Sequence, residues 1–332
     1  MLVQESYIVT SVNRDKPDRW KEDILQSVDL YNSWFMQFAP QAFRRTRIST
    51  ARRVESALHL TNNLTDISPE ILKESPDVLP ILRMATCPPI ARDRLVGLAG
   101  VSKNLVESME KADNSRLPPR MSQFKLEEDL LKISETIKMM ADPDIFVWLG
   151  RKEKATQEEV SRAATVIADR LCGSIADPII RNAQERRQLK AIASFLNGQG
   201  YQQASSNAKY NSMNPGTYAF RMNIPAKMTN DKEEIISLNV PVNVAIMPRG
   251  ASEGELPLLI ETKSAGDFTN VNKRRKEEAQ KMAQLKNTYG NSIRFCLFLC
   301  GYFDSGYLGY EAAEGIDWVW EHRMEDFLQF NL

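Results

Sequence analysis

The stretch Leu256-Pro257-Leu258-Leu259-Ile260-Glu261-Thr262-Lys263 decides the fold, because an apolar run that ends in charge reads as a buried strand reaching the rim of a sheet. Side chains alternate along a strand, so Glu261 and Lys263 project from one face and Thr262 from the other. Phosphodiester hydrolysis needs a carboxylate to hold a divalent cation against the phosphate. It also needs a positive group to stabilise developing charge or help deprotonate the attacking water. Glu261 and Lys263 supply one of each, in the only acidic-x-Lys triplet of the chain. A strand-edge ion pair would look the same by itself. The continuation Ser264-Ala265-Gly266-Asp267, followed by a basic helix, adds charge at the mouth of the sheet, where active sites tend to lie.

Working outward, YAFRMNI (218–224) and EIISLNVPVNVAIM (234–247) read as the preceding strands, with Pro225 and Gly250 in the turn-rich stretches between them. The position on the second of these that faces Glu261 is Asn243, where a second acidic ligand is expected. Asn can give a metal one amide oxygen but no charge. Upstream, IIRNAQERRQLKAIASFLN (179–197) is an amphipathic helix closed by Gly198 and Gly200, and its Glu185 is a candidate third carboxylate. The alternative for Glu185 is a surface pair with a Lys or Arg on its own helix. Downstream come a charged helix at about 270–288 capped by Gly290, a doubly buried strand within SIRFCLFLCGYF (292–303), and a final helix near 317–329. The order predicts an α/β (α+β) core with a central mixed sheet flanked by helices.

The first half differs in character. Apolar residues recur at spacings of three and four near 18–38, 41–60, 91–112, 126–140 and 156–172, punctuated by prolines, so residues 1–172 form a mostly helical region and 173–332 the sheet-bearing core. Within ARDRLVGLAGVSKNLVESMEK (91–111) a helix-turn-helix is legible. Gly100-Val101-Ser102 form its turn, and Ser102, Lys103 and Asn104 start the recognition helix. Two packed helices with no DNA role give the same pattern.

Composition limits the remaining possibilities. The chain has 332 residues, 42% of them hydrophobic, which is ordinary for a globular protein of two packed lobes. No apolar run reaches membrane-spanning length and the N-terminus lacks a signal-peptide layout, so a cytoplasmic protein is expected. Cys87, Cys172, Cys296 and Cys300 show no metal-site spacing and read as reduced thiols. Two His residues leave most triad chemistry without its base. Net charge is zero, from 43 basic and 43 acidic residues. The basic ones cluster at 44–53, 181–187 and 273–276, a segregation that can line a cleft for a polyanion. Walker, nucleophile-elbow and zincin motifs are all missing, so no nucleotide cofactor is expected.

The strings LPLLIETKSAGDFTNVNKRRKEEAQK, RNAQERRQLK, FLCGYFDSGYLGYEAAEGIDWVWEHR, RMATCPPIARDRLVGLAG and LPPRM closely resemble the XamI and SalI group of type II restriction endonucleases, over nearly the whole chain. The resemblance implies a PD-(D/E)xK nuclease fold, Mg²⁺ as cofactor, and cleavage of a GTCGAC palindrome in double-stranded DNA by a bacterial restriction-modification enzyme. Carried over by position, Glu261 is a metal ligand, Lys263 the catalytic lysine and Glu185 the acidic residue of the first core helix. The group reads V-P-V-D or I-P-V-D where this chain has Val240-Pro241-Val242-Asn243, so Asn243 replaces the expected metal-binding Asp and cleavage is expected to be impaired.

For DNA recognition, Asp267, Asn270, Asn272, Lys273, Arg274 and Arg275 combine donors for base edges with cations for phosphates. The alternative for each is a solvated helix face. A palindromic site suits a two-fold homodimer, for which the helices bearing Trp20, Trp34, Phe35 and Phe38 are candidates. The main rival is a non-catalytic sequence-specific DNA-binding protein.

Overall fold

A computed structural model describes residues 11–111, 114–205, 207–229, 234–252, 254–269 and 271–332, apart from the side chains of 229, 272–274 and 291. The chain divides into two compact units, one made of the residues up to Phe38 with Arg181–Leu332, the other of Ala39–Ile180.

The helices, in chain order, are α1 (Pro17–Leu60), α2 (Pro69–Glu74), α3 (Leu79–Met84), α4 (Arg92–Ala99), α5 (Lys103–Met109), α6 (Gln123–Met140), α7 (Gln157–Gly198), α8 (Val271–Tyr289) and α9 (Ser305–Ala313). The strands are β1 (Gln202–Gln203), β2 (Thr217–Thr229), β3 (Ile235–Met247), β4 (Leu258–Ala265), β5 (Arg294–Gly301) and β6 (Asp317–Trp320).

The Ala39–Ile180 unit is helical around its own core, in which Leu58, Leu72, Leu82, Leu105, Leu130, Ile133 and Ile167 are buried. Two expected breaks do not occur: α1 runs through Pro40 and α7 through Pro178. An internal proline costs a helix about 3 kcal/mol, and in α7 buried Ala168, Leu171, Leu189 and Ile192 on either side of Pro178 offset that. In the 91–112 segment Gly100 adopts a left-handed conformation, φ +62°, which ends α4.

The other unit holds a six-stranded mixed sheet in the order β1-β2-β3-β4-β5-β6. Strands β2, β3 and β4 are antiparallel neighbours, and β4, β5 and β6 run parallel through the crossover helices α8 and α9. The helix expected near 317–329 is not there. Asp317-Trp318-Val319-Trp320 is fully buried edge strand β6, because its aromatic and β-branched residues pack on both sides, and a 3₁₀ turn follows at Met324–Phe330. Residues 12 and 13 are tied to this edge by backbone N–H bonds to the Asp317 carboxylate, at 2.6 and 2.9 Å.

Each face of the sheet has its own layer. Leu258, Ile260, Cys296, Phe298 and Val319 pack with Leu189, Ile192 and Leu196 of α7. Leu259, Phe295, Leu297, Leu299, Trp318 and Trp320 pack with Met282 and Leu285 of α8 and with Tyr307 and Leu308 of α9. Glu261 and Lys263 have the parity of Leu259, so strand alternation aims them at α8. The parallel β4–β5 pair ends where a Cβ on Gly301 (φ +103°) would lie 2.1 Å from the Ala265 carbonyl oxygen. Only glycine fits there.

Candidate active site

Glu261 and Lys263 share a face, with Lys263 Nζ 3.3 Å from Glu261 Oε1. Neither is isolated. Helix α8 reaches over them with Glu278 and Lys281, which lie three residues apart on one side of the helix. Lys281 Nζ lies 2.8 Å from Glu261 Oε1 and 3.0 Å from the Pro241 carbonyl oxygen, while Lys263 Nζ lies 2.7 Å from Glu278 Oε1. The four form a chain of alternating charge, Lys281, Glu261, Lys263, Glu278, that sums to zero. Gln188 of α7 donates to the Lys263 carbonyl oxygen at 3.2 Å and so steadies the strand.

Burial grades along this chain. Glu278 is wholly buried and Glu261 is 8% exposed, whereas the Lys281 side chain retains 21% of its exposure. Burial by itself would lower the Lys263 pKa, but the attraction of Glu261 and Glu278 outweighs it and the net shift is upward. Lys263 therefore stays an ammonium. Beyond Glu278 lies a second buried carboxyl, Glu311 of α9, pushed up to about 8 by burial and then by the nearby Glu278 charge. At neutral pH it is mostly protonated.

Asn243 enters from the neighbouring strand. The β3–β4 ladder ends at the pair Val244 and Ile260, so Asn243 and Glu261 are the next positions along the two strands. The Asn243 side-chain oxygen accepts the Thr262 backbone N–H at 2.9 Å, extending the pairing where the ladder stops. Directly across on β2 is Arg221, between the paired positions Phe220–Val244 and Met222–Val242. Arg221 has φ +54°, a left-handed conformation uncommon for a residue with a side chain. Alternation slips by one on both strands here. Ala219 and Met222, like Val242 and Ala245, face the same core layer. Backbone strain thus sits beside the Asn243 position.

Glu185 pairs with Arg221 Nη2 at 3.1 Å, a partner on another element rather than on its own helix. Asp267 accepts the Thr269 backbone N–H at 2.8 Å and fixes the turn into α8. The Arg275 guanidinium lies 4.7 Å from the Tyr310 ring centroid, a cation–π contact within the protein. Asn270 and the side chains of Asn272, Lys273 and Arg274 lie outside the described residues. Lys103 and Asn104 are exposed at the start of α5, and the Ser102 backbone N–H is held by Asp129 Oδ2 at 3.1 Å. Leu105, Val106 and Met109 of that helix are fully buried. Of the aromatic residues named for an interface, Trp20 packs edge-on against Trp318 and Trp34 stacks on Phe38.

A profile of the XamI restriction endonuclease family matches residues 62–320. The chain belongs to the XamI restriction endonuclease family. Within that group it is 51% identical to the type II restriction enzyme SalI of Streptomyces albus G, over 95% of this chain and 98% of that protein. A crystal structure of protein VC1899 from Vibrio cholerae shares 12% identity and a TM-score of 0.26, over 88% of this chain and 55% of that one. Such a score carries no argument. As a member of this family the chain is a restriction enzyme, a class of site-specific nuclease, and the E-x-K strand lies inside the matched region.

The residues in place fit a divalent cation poorly. Among the described residues no group of three or more His, Cys, Asp or Glu side chains is arranged to hold a metal. One carboxylate, Glu261, already carries two ammonium groups. The one oxygen of Asn243 is committed to Thr262, and its other terminal atom is an NH₂ donor. An Asp at 243 could keep the Thr262 bond on one oxygen and offer the second, with its charge, to a cation.

Sequence reasoning missed Glu278, Lys281 and Arg221. The signal for the first two was present as Glu278-Ala279-Gln280-Lys281, an i,i+3 acid and base that reads equally well as a solvated pair. Nothing in the sequence marks the left-handed backbone of Arg221, since glycine is the residue that usually advertises it.

Proposed function

We propose that this chain is a type II restriction endonuclease of PD-(D/E)xK type. It recognises a palindromic site in double-stranded DNA, of the GTCGAC kind, as a two-fold homodimer, and its own hydrolytic step is attenuated by Asn243. The observation that carries this reading is the juxtaposition of Glu261 and Lys263 at 3.3 Å on the interior strand β4, just past where its pairing with β3 ends, next to the Asn243 position. In the family reaction Mg²⁺ supplies charge stabilisation and an activated water. The chain's own residues supply the rest. Lys263 presents an ammonium that Glu261 and Glu278 keep charged, Gln188 holds the strand that carries it, and the exposed start of α5 offers Lys103 and Asn104 to the duplex.

Asn243 and the crowded Glu261 support a second reading, a protein that binds its site and does not cut it. Incubating plasmids with and without one GTCGAC sequence with the unaltered chain and with Asn243→Asp, in Mg²⁺, separates the two. Site-dependent linearisation by the Asn243→Asp protein, orders of magnitude faster than by the unaltered chain, is expected. Binding to GTCGAC with no cutting by either protein would favour the pure binder. Cutting that ignores the sequence would overturn the proposed specificity.

A further inference from the structure

Of the two carboxylates that pair with Lys263 among the described residues, Glu278 is fully buried, whereas Glu261 retains some exposure. Its Oε1 is shared by two ammonium groups with different alternatives. Lys263 has a second anion, Glu278, at 2.7 Å and is anchored on β4. Lys281 reaches in from α8 and its second contact is only the neutral Pro241 carbonyl. It is also the more exposed of the two, at the edge of a shallow groove lined by Asn239, Pro241, Glu277 and Gln284. Exposed Glu277, one turn earlier on the same helix, gives its ammonium another partner.

We propose that Lys281 is a built-in competitor for the divalent cation. Its ammonium occupies Glu261, and a metal gains that oxygen only when Lys281 swings out toward the groove. Two positive centres on one partly buried oxygen repel strongly, so the affinity of Glu261 for a dication is set by how readily Lys281 leaves. The neutral Asn243 compounds the effect, because a carboxylate there would add attraction for the metal. The sequence holds both controls of metal loading within one site, a missing charge on β3 and an extra one on α8. This inference rests on Glu261 being the metal ligand of the proposed nuclease.

The test uses Mn²⁺ alone as probe, with bound and free ion separated by electron paramagnetic resonance, on the full chain. Lys281→Met keeps length and removes charge, whereas Lys281→Arg keeps charge. Removal of a competing charge at a few ångströms is expected to tighten Mn²⁺ binding by about tenfold or more in Lys281→Met, leave Lys281→Arg near the unaltered chain, and vanish in Lys281→Met/Glu261→Gln. A folded Lys281→Met protein with unchanged Mn²⁺ affinity, or a gain that survives loss of Glu261, would overturn the proposal. Should Lys281→Met not fold, the unaltered chain answers through its lysine ¹³Cε signals, with Lys281 assigned from Lys281→Arg. That signal is expected to move as Ca²⁺ saturates the site, and a stationary signal at saturation counts against displacement. Asn243→Asp serves as the separate control. If it binds Mn²⁺ and Lys281→Met does not, competition alone fails; if neither binds, the metal site itself is misassigned.

Discussion

Lys263 and Glu278 form an ion pair at 2.7 Å in which the carboxylate is fully buried and the ammonium still reaches the rim of the sheet. The pair turns the strand lysine into a fixed charge held from behind. Because the Lys263 pKa is raised in the folded chain, its contribution to stability is fully present below the unfolded lysine value and is lost only as alkaline pH passes the folded one. It is therefore intact at neutral pH.

Glu278→Gln removes the rear anion and leaves Lys263 sharing Glu261 with Lys281. Breaking a buried pair by deleting one partner is expected to cost about 3 kcal/mol at pH 7, read by urea denaturation. In an Asn243→Asp background the alkaline limb of the cleavage rate should also move to lower pH, since burial then acts on Lys263 with less opposition. A loss of stability without that displacement would make Glu278 a packing residue only.

Glu311 gives a pH dependence of the same sense in a lower window. Its folded pKa of about 8 lies above the unfolded carboxyl value, so between the two the folded chain holds a proton that the unfolded chain has lost. Stability from this group thus falls as pH rises toward 8, on the order of 1 kcal/mol per unit, and levels off above. Glu311→Gln should flatten that decline and raise the melting temperature at pH 8 more than at pH 5. Parallel pH profiles for the two proteins would contradict the assignment.

The left-handed backbone at Arg221 reverses a familiar ranking. In a strand of ordinary geometry alanine is preferred to glycine, yet at φ +54° a Cβ is the burden. Both Arg221→Gly and Arg221→Ala lose the exposed pair with Glu185, so that term cancels between them. The glycine variant is expected to be the more stable by roughly 1 kcal/mol in urea denaturation. Alanine equal or better would mean that the strand relaxes to regular geometry.

Much of the sheet is readable from the sequence because its strands are apolar runs of strand length bounded by turn residues, as in 218–224, 234–247 and 256–263. The lateral pairing of Glu261 with Lys263, and the facing position of Asn243, follow from alternation and register alone. What escaped has physical causes. Pro40 and Pro178 are local breakers overruled by tertiary packing, and Asp317–Trp320 is too short to display a period. Glu278 and Lys281 look like any charged pair on a helix until the topology brings α8 over β4. Glu185 is legible as a helix carboxylate, but its pairing with Arg221, across from Asn243, shows only once the fold brings the two elements together.

In the proposed reaction Glu261 and Lys263 work on a DNA phosphate once residue 243 is acidic. The decisive comparison is single-turnover cleavage of a GTCGAC duplex in Mg²⁺ by Asn243→Asp and by Asn243→Asp/Lys263→Met, with duplex affinity measured alongside in Ca²⁺. The second protein is expected to bind the duplex within a few-fold of the first and to cut it slower by roughly a thousandfold or more, because charge stabilisation at the reacting group is lost. Equal cutting rates in the two proteins would contradict the proposed reaction.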